Sequence, residues 1–262
     1  MKIDLTDTAF IIPVRIDSII RLENLLMSLD CILSYFHTQI YILEASSYPN
    51  KIIPSLTSKE SSITYHFLLD KDPIFHKTKY LNILSKYVNT PIVCIWDADV
   101  ILDHIQILDA IKQLRTKKFE VAYPYDGDFL DTSDILREHY WLHRDIAFLQ
   151  KQRNKMNSLY TVEGIIGAVG GAVFVQTEKY RSAGLENEDF YGWGLEDGER
   201  HYRWLSFDYQ IYRSKGCLFH LSHPRDINGM FRSKEHREKA IYDMNEIVNY
   251  DKNDLKRRFT LL

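Results

Sequence analysis

Three cysteines in 262 residues are too few for a disulfide framework, and Cys31, Cys94 and Cys217 match no metal-ligand spacing. Cys31 and Cys94 lie within apolar runs, which reads as small buried residues in a reducing compartment. No apolar run reaches the roughly 18 residues that a membrane span needs. Met1 to Asp7 has no apolar signal-peptide core. The expectation is a soluble cytoplasmic protein, with peripheral membrane docking left open. Neither sign of charge dominates: 33 Lys and Arg stand against 36 Asp and Glu, a net charge of −3. Nothing therefore suggests nucleic acid or another polyanion as a partner, and Lys256-Arg257-Arg258 reads as a solvated helix or tail end. Glycine is missing from Pro13-Val14-Arg15-Ile16-Asp17. That counts against a nucleotidyltransferase, which would carry a glycine-rich phosphate loop after its first strand. Repeats, low-complexity tracts and linkers are absent as well, so a single domain over residues 1–262 is expected.

What is present is a large apolar fraction, 45%, enough for a sizeable core. Ala9 to Pro13 suits a buried strand stopped by proline. A helix capped by Asp17 or Ser18 should follow, because Ile19, Leu22, Leu26, Leu29, Leu33 and Phe36 recur at steps of three and four. Ile40 to Leu43, ending at Glu44, and Tyr65 to Leu69 read as strands, Tyr80 to Leu84 as a helix. Pro91 to Trp96 reads as a strand buried on both faces. This alternation predicts a mostly parallel α/β sheet flanked by helices, with ligands beyond the carboxyl ends of its strands. The second half is more mixed. It holds a charged helical stretch over 132–155, a glycine-rich segment before Ala172 to Val175, a loop from Glu186 to Trp193, a helix from Glu196 to Trp204 and a strand end at Cys217 to His220.

Three constellations carry chemistry. In Trp96-Asp97-Ala98-Asp99-Val100, carboxylates at i and i+2 leave a buried strand on the same side. Such hard oxygen ligands suit Mg²⁺ or Mn²⁺ holding a diphosphate. The alternative is a pair of turn-forming aspartates. Chance supplies the triplet, as Asp126-Gly127-Asp128 shows, and Gly127 makes that copy look like a turn. The second constellation, Tyr191 to Glu199, sets Trp193 between two glycines and opens a helix with acidic residues that its dipole keeps ionised. A tryptophan face suits a sugar ring. The bland alternative is an acidic helix start after a loop. In the third, His220 and His223 follow a strand three residues apart and read as metal ligands or as structural histidines.

Together, in this order, the segments resemble the β-1,4-galactosyltransferase-like and bacterial capsule-type glycosyltransferases, from about Phe10 to Arg232. Gly192-Trp193-Gly194-Leu195-Glu196-Asp197 looks like the family's Gly-Trp-Gly-x-Glu-Asp signature. Ile11 to Arg15, Phe75 to Asn82, Asp97-Ala98-Asp99, Gly170-Gly171 and the histidine segment support it. The resemblance implies a GT-A-like fold and an inverting transfer from a UDP-sugar to a glycan or glycolipid acceptor, in surface polysaccharide synthesis, with Mn²⁺ or Mg²⁺. Residues 1–100 would form the nucleotide-binding half and 101–262 the acceptor and catalytic half. Pro13, Val14, Arg15, Asp17, Glu44, Lys79, Asp97 and Gly171 would hold the nucleotide-sugar. Asp99, His223 and His220 would hold the metal, His220 standing where the galactosyltransferases have a methionine. Asp197 would be the catalytic base, and Glu196, Trp193 and Glu199 would meet the acceptor. Gly198 departs from the galactosyltransferases, which carry another acidic, acceptor-holding residue there. Ile165 replaces a bulky tyrosine beside the donor's 2-substituent, which favours UDP-N-acetylgalactosamine over UDP-galactose. A glycan-binding module without activity is the rival on the same fold.

Overall fold

The computed structural model describes residues 2–160 and 167–259. Its first half alternates as the apolar runs predict: β1 (Ile3–Val14), α1 (Ile19–Leu33), β2 (Phe36–Ser46), α2 (Ile52–Thr57), β3 (Ile63–Leu69), α3 (Lys77–Ser85) and β4 (Ile92–Trp96). The chain continues through β5 (Val100–Ile101), α4 (His104–Arg115), β6 (Val121–Tyr123), β7 (Phe129–Asp131), α5 (Asp134–His143), α6 (Ile146–Gln152), β8 (Asn157–Ser158) and β9 (Ala172–Gln176). It ends with α7 (Thr177–Ser182), α8 (Glu196–Ser206), β10 (Ile211–Arg213), β11 (Leu218–His220), α9 (Lys234–Asn249) and α10 (Lys252–Phe259).

Seven strands form one sheet in the order β10-β6-β9-β4-β1-β2-β3. Only β9 runs antiparallel to its neighbours. All five residues of β4 are buried, as a central strand covered on both faces requires. Proline does not stop β1 at residue 13. Pairing with β4 ends at Ile11, so Pro13 faces only β2, where it lies opposite Leu43. The cap of α1 is Ser18, whose hydroxyl accepts the Arg21 N–H at 3.3 Å. Phe36 does not extend this helix: it opens β2, and it is buried there, which satisfies the same apolar spacing.

A second sheet, β5-β11-β7-β8, packs where β4 ends. Its register sets His220 opposite Val100 on one side and opposite Asp131 on the other. The residues just after β4 and those on β11 are therefore joined by strand pairing. The three cysteines are buried and free. No helix among the described residues is long and apolar enough to cross a membrane.

Candidate active site

A cavity of about 780 Å³ opens beyond the carboxyl ends of β1 and β4. Its floor is the turn after β4. The Asp97 N–H donates to the Gly171 carbonyl at 2.8 Å, tying this turn to the start of β9. Glycine is required at 171, where φ is +76° and a Cβ would sit 2.7 Å from the Phe129 ring.

On one side, Asp99, His220 and His223 offer one oxygen and two nitrogens, all within 4.8 Å of one another. Asp99 Oδ2 lies 3.1 Å from His223 Nε2 and 3.7 Å from His220 Nε2. The Leu221 N–H donates to the Asp99 carbonyl at 2.7 Å, which locks the histidine segment against the turn. His220 Nδ1 meets Asp131 at 2.7 Å, an outer carboxylate of the kind that orients metal-bound imidazoles. Burial alone would lower the His220 pKa, but Asp99 and Asp131 outweigh it and raise it to about 9. Burial opposes ionisation of Asp99 too, yet the two histidines hold it well below the usual carboxylate range. Two imidazoles and a carboxylate converging on one point fit a divalent transition metal.

On the other side, α8 starts from Leu195 in the left-handed region, at φ 68°. It turns Glu196 and Asp197 toward the cavity. The ammonium of Lys77 lies between them and Asp97, on a side chain 13% exposed. It stands 2.9 Å from Asp97, 3.2 Å from Asp197 and 3.7 Å from Glu196. Arg200, which is buried, donates to Asp197 at 2.7 Å and to Glu186 at 2.9 Å. Burial would raise the Asp197 pKa, but Lys77 and Arg200 reverse the effect and keep it below the ordinary value. Glu196 lacks an arginine. Burial and the neighbouring Asp197 push it up to about 7, and its Oε2 accepts the Gly194 N–H at 2.9 Å. Gly170 presses on this group, since a Cβ there would lie 2.6 Å from Asp197 Oδ2.

The mouth carries Trp193, edge-on to Phe231 at 5.4 Å. The β1 end carries Pro13, Val14, Arg15 and Asp17. Arg15 donates to the carbonyls of Ala45 and Pro73 at 2.9 Å each, leaving one terminal nitrogen unpartnered.

No protein-family model and no curated protein matches the sequence. Solved structures do match the fold. The catalytic domain of Drosophila β1,4-galactosyltransferase 7, in complex with xylobiose, gives a TM-score of 0.56 at 13% identity, over 89% of this chain and 79% of that one. TarS of S. aureus gives 0.58 at 11% identity, and its complex with UDP-GlcNAc gives 0.60 at 12%. Both cover 96% of this chain, which spans 66% of the first TarS structure and 68% of the second.

The fold is that of the GT-A glycosyltransferases. Within this GT-A frame, Asp97, Asp99, Gly171, Trp193, Glu196, Asp197, His220 and His223 share the cavity with the β1 end. Three residues expected there do not line it. Lys79 is 44% exposed and stands 3.9 Å from Asp70. Residues two apart on an α-helix diverge by about 200°, so α3 aims Lys77 inward and Lys79 outward. The same geometry removes Glu199 from the acceptor side. It is buried with Arg203 at 2.7 Å, on the face of α8 opposite Asp197. Glu44 is buried in β2, where its carboxylate accepts from Tyr65 at 2.7 Å and Asn50 at 3.0 Å. Asp126-Gly127-Asp128 is a turn, with Gly127 at φ 113° and the Asp128 N–H on Asp126. Ile165 lies outside the described residues. Sequence reasoning missed Lys77, although it quoted the segment holding it. It also missed Arg200, Asp131 and the α9 residues, none of which belongs to a recognisable motif.

Proposed function

We propose that the protein is a metal-assisted, inverting glycosyltransferase. It moves a hexose or N-acetylhexosamine, from UDP-galactose or UDP-N-acetylgalactosamine, to a hydroxyl of a glycan or glycolipid. The observation that carries this reading is the single cavity shared by Asp99, His220 and His223 on one side and Asp197 on the other. The nucleotide would lie along Pro13, Val14, Arg15 and Asp17. A divalent metal, Mn²⁺ before Mg²⁺ because of the two imidazoles, supplies charge neutralisation for the departing diphosphate.

In the transfer step the acceptor oxygen attacks the anomeric carbon while the bond to the diphosphate breaks. The hydroxyl proton passes to the Asp197 carboxylate, ionised and within reach of the cavity. Lys77 and Arg200 hold that carboxylate in place. Trp193, flanked by Gly192 and Gly194, which would allow the loop to move, would keep water out together with Phe231. The test is UDP release over a panel of UDP-sugars, including UDP-GlcNAc, with and without Mn²⁺. The reading predicts metal-dependent release with at least one donor and acceptor pair. A protein that binds glycans but releases no UDP from any pair would be the inactive module instead.

A further inference from the structure

The cavity does not end at the carboxylates. It continues between α8 and α9, where Gly198, His201 and Tyr202 form one wall and Met244, Asn245 and Val248 the other. At Gly198 a Cβ would come within 3.6 Å of the Met244 terminal methyl. Gly198 thus has room for a Cβ in ordinary van der Waals contact and faces the thioether side chain of Met244.

Two further observations define this groove. First, α9 carries more apolar surface than its packing uses. Ala240 and Ile247 are buried on one face, while Ile241, at 40% exposure, Met244 and Val248, at 45%, form a second stripe at steps of three and four. Met244 and Val248 of that stripe line the cavity. Second, none of the six groove residues is charged at neutral pH. His201 is 3% exposed with Nδ1 paired to Tyr123 at 2.9 Å, and burial, with help from Arg213 and Arg200, lowers its pKa to about 4. The charged residues that line the cavity, Arg225 among them, are all outside these six. A charged substituent in this groove would lose hydration without gaining a partner.

We propose that the groove between α8 and α9 is an acceptor subsite for an apolar, uncharged group attached to the acceptor sugar. This rests on the glycosyltransferase reading. Whatever fills the groove is continuous with the group that reaches Asp197, so the occupant is the aglycone side of the acceptor and not the nucleotide.

The experiment measures KM for methyl, butyl and octyl β-glycosides of glucose, galactose and their N-acetylamino forms, below micellar concentrations, with a UDP-sugar panel and Mn²⁺. KM should fall from methyl to octyl, by up to roughly fourfold for each methylene that enters the groove. Val248→Asp should flatten that dependence. Val248 is half-exposed, so the aspartate stays hydrated in the free protein, and UDP binding by calorimetry checks that the variant is folded. Turnover that ignores chain length, or a Val248→Asp variant that keeps the full dependence, overturns the proposal and leaves the transferase reading standing. No UDP release from any pair overturns both.

Discussion

Replacing Asp197 with asparagine isolates the proton-transfer step. The side chain keeps its size and loses its basicity. In the native protein the carboxylate is ionised because Lys77, at 3.2 Å, and Arg200, at 2.7 Å, outweigh burial. Removing one member of a buried ion pair costs about 3–5 kcal/mol when it strands the partner. That condition is not met here. Arg200 keeps Glu186 at 2.9 Å, and Lys77 keeps Asp97 at 2.9 Å. The variant should therefore fold and lose catalysis. Loss of a positioned general base lowers kcat by about 10²–10⁴-fold, or about 2.7–5.4 kcal/mol in the barrier. Donor affinity should change little, because the metal ligands and the β1 end lie on other elements.

The assay pairs initial rates of UDP release with calorimetric titration of the UDP-sugar in Mn²⁺. A near-normal kcat would show that Asp197 is not the base and would turn attention to Glu196. A variant that no longer binds donor would place the carboxylate in the nucleotide or metal site and refute the division of labour.

Four more expectations follow from the same geometry. His223→Ala should raise the Mn²⁺ concentration needed for half-maximal rate more than His220→Ala, since Asp99 stands 3.1 Å from His223 and 3.7 Å from His220; equal or reversed effects, or full turnover after metal stripping, would refute the ligand set. Asp131→Asn, which removes the outer partner of His220, should weaken metal affinity about 10–100-fold, checked by Mn²⁺ titration with unchanged UDP affinity at saturating metal. Gly170→Ala must displace the Asp197 carboxylate, 2.6 Å from the new methyl, and should lower kcat by about 10²-fold; an unaffected rate would mean that the position of Asp197 is not critical. Glu196 binds its proton more tightly folded, with a pKa of about 7, than unfolded, near 4.5, so stability from that proton is lost as pH rises between these values. The melting temperature of Glu196→Gln minus that of the native protein should therefore rise from pH 5 to pH 8, and a flat difference would contradict the burial argument.

Much of the fold was legible because apolar runs mark strands whatever their neighbours. Ala9 to Pro13 and Pro91 to Trp96 located β1 and β4, and the rule about carboxyl ends then pointed to the cavity. The limits were set by boundaries and by short strands. Phe36 suited the end of a helix as well as the start of β2, since it is buried in either role. The three-residue strands β6, β7 and β10 are too short for periodicity to register. The second sheet was invisible for the same reason. Without it Asp131 has no reason to meet His220, 89 residues away.

At the cavity, most of the residues singled out in the sequence come together, while Lys79 and Glu199 lie on the far sides of their helices. One geometry accounts for both: Lys79 and Glu199 each stand two residues from a cavity-lining neighbour, Lys77 or Asp197, on a helix whose orientation the motif does not specify. The missed cations matter most, because they set the charge balance around Asp197. Among the described residues, four carboxyl groups, Asp97, Glu186, Glu196 and Asp197, are joined by ion pairs to Lys77 and Arg200. Where carboxyl groups outnumber cations in a largely buried cluster, the acids that the cations hold least are pushed toward their protonated forms. Asp197, paired with both cations, is held below its ordinary value. The two without an arginine, Asp97 and Glu196, are raised by burial and by their anionic neighbours to about 6 and about 7. Lys77, nearer to Asp197 than to Glu196, and Arg200, which no motif announced, together hold Asp197 below the ordinary carboxylate value while Glu196 is raised.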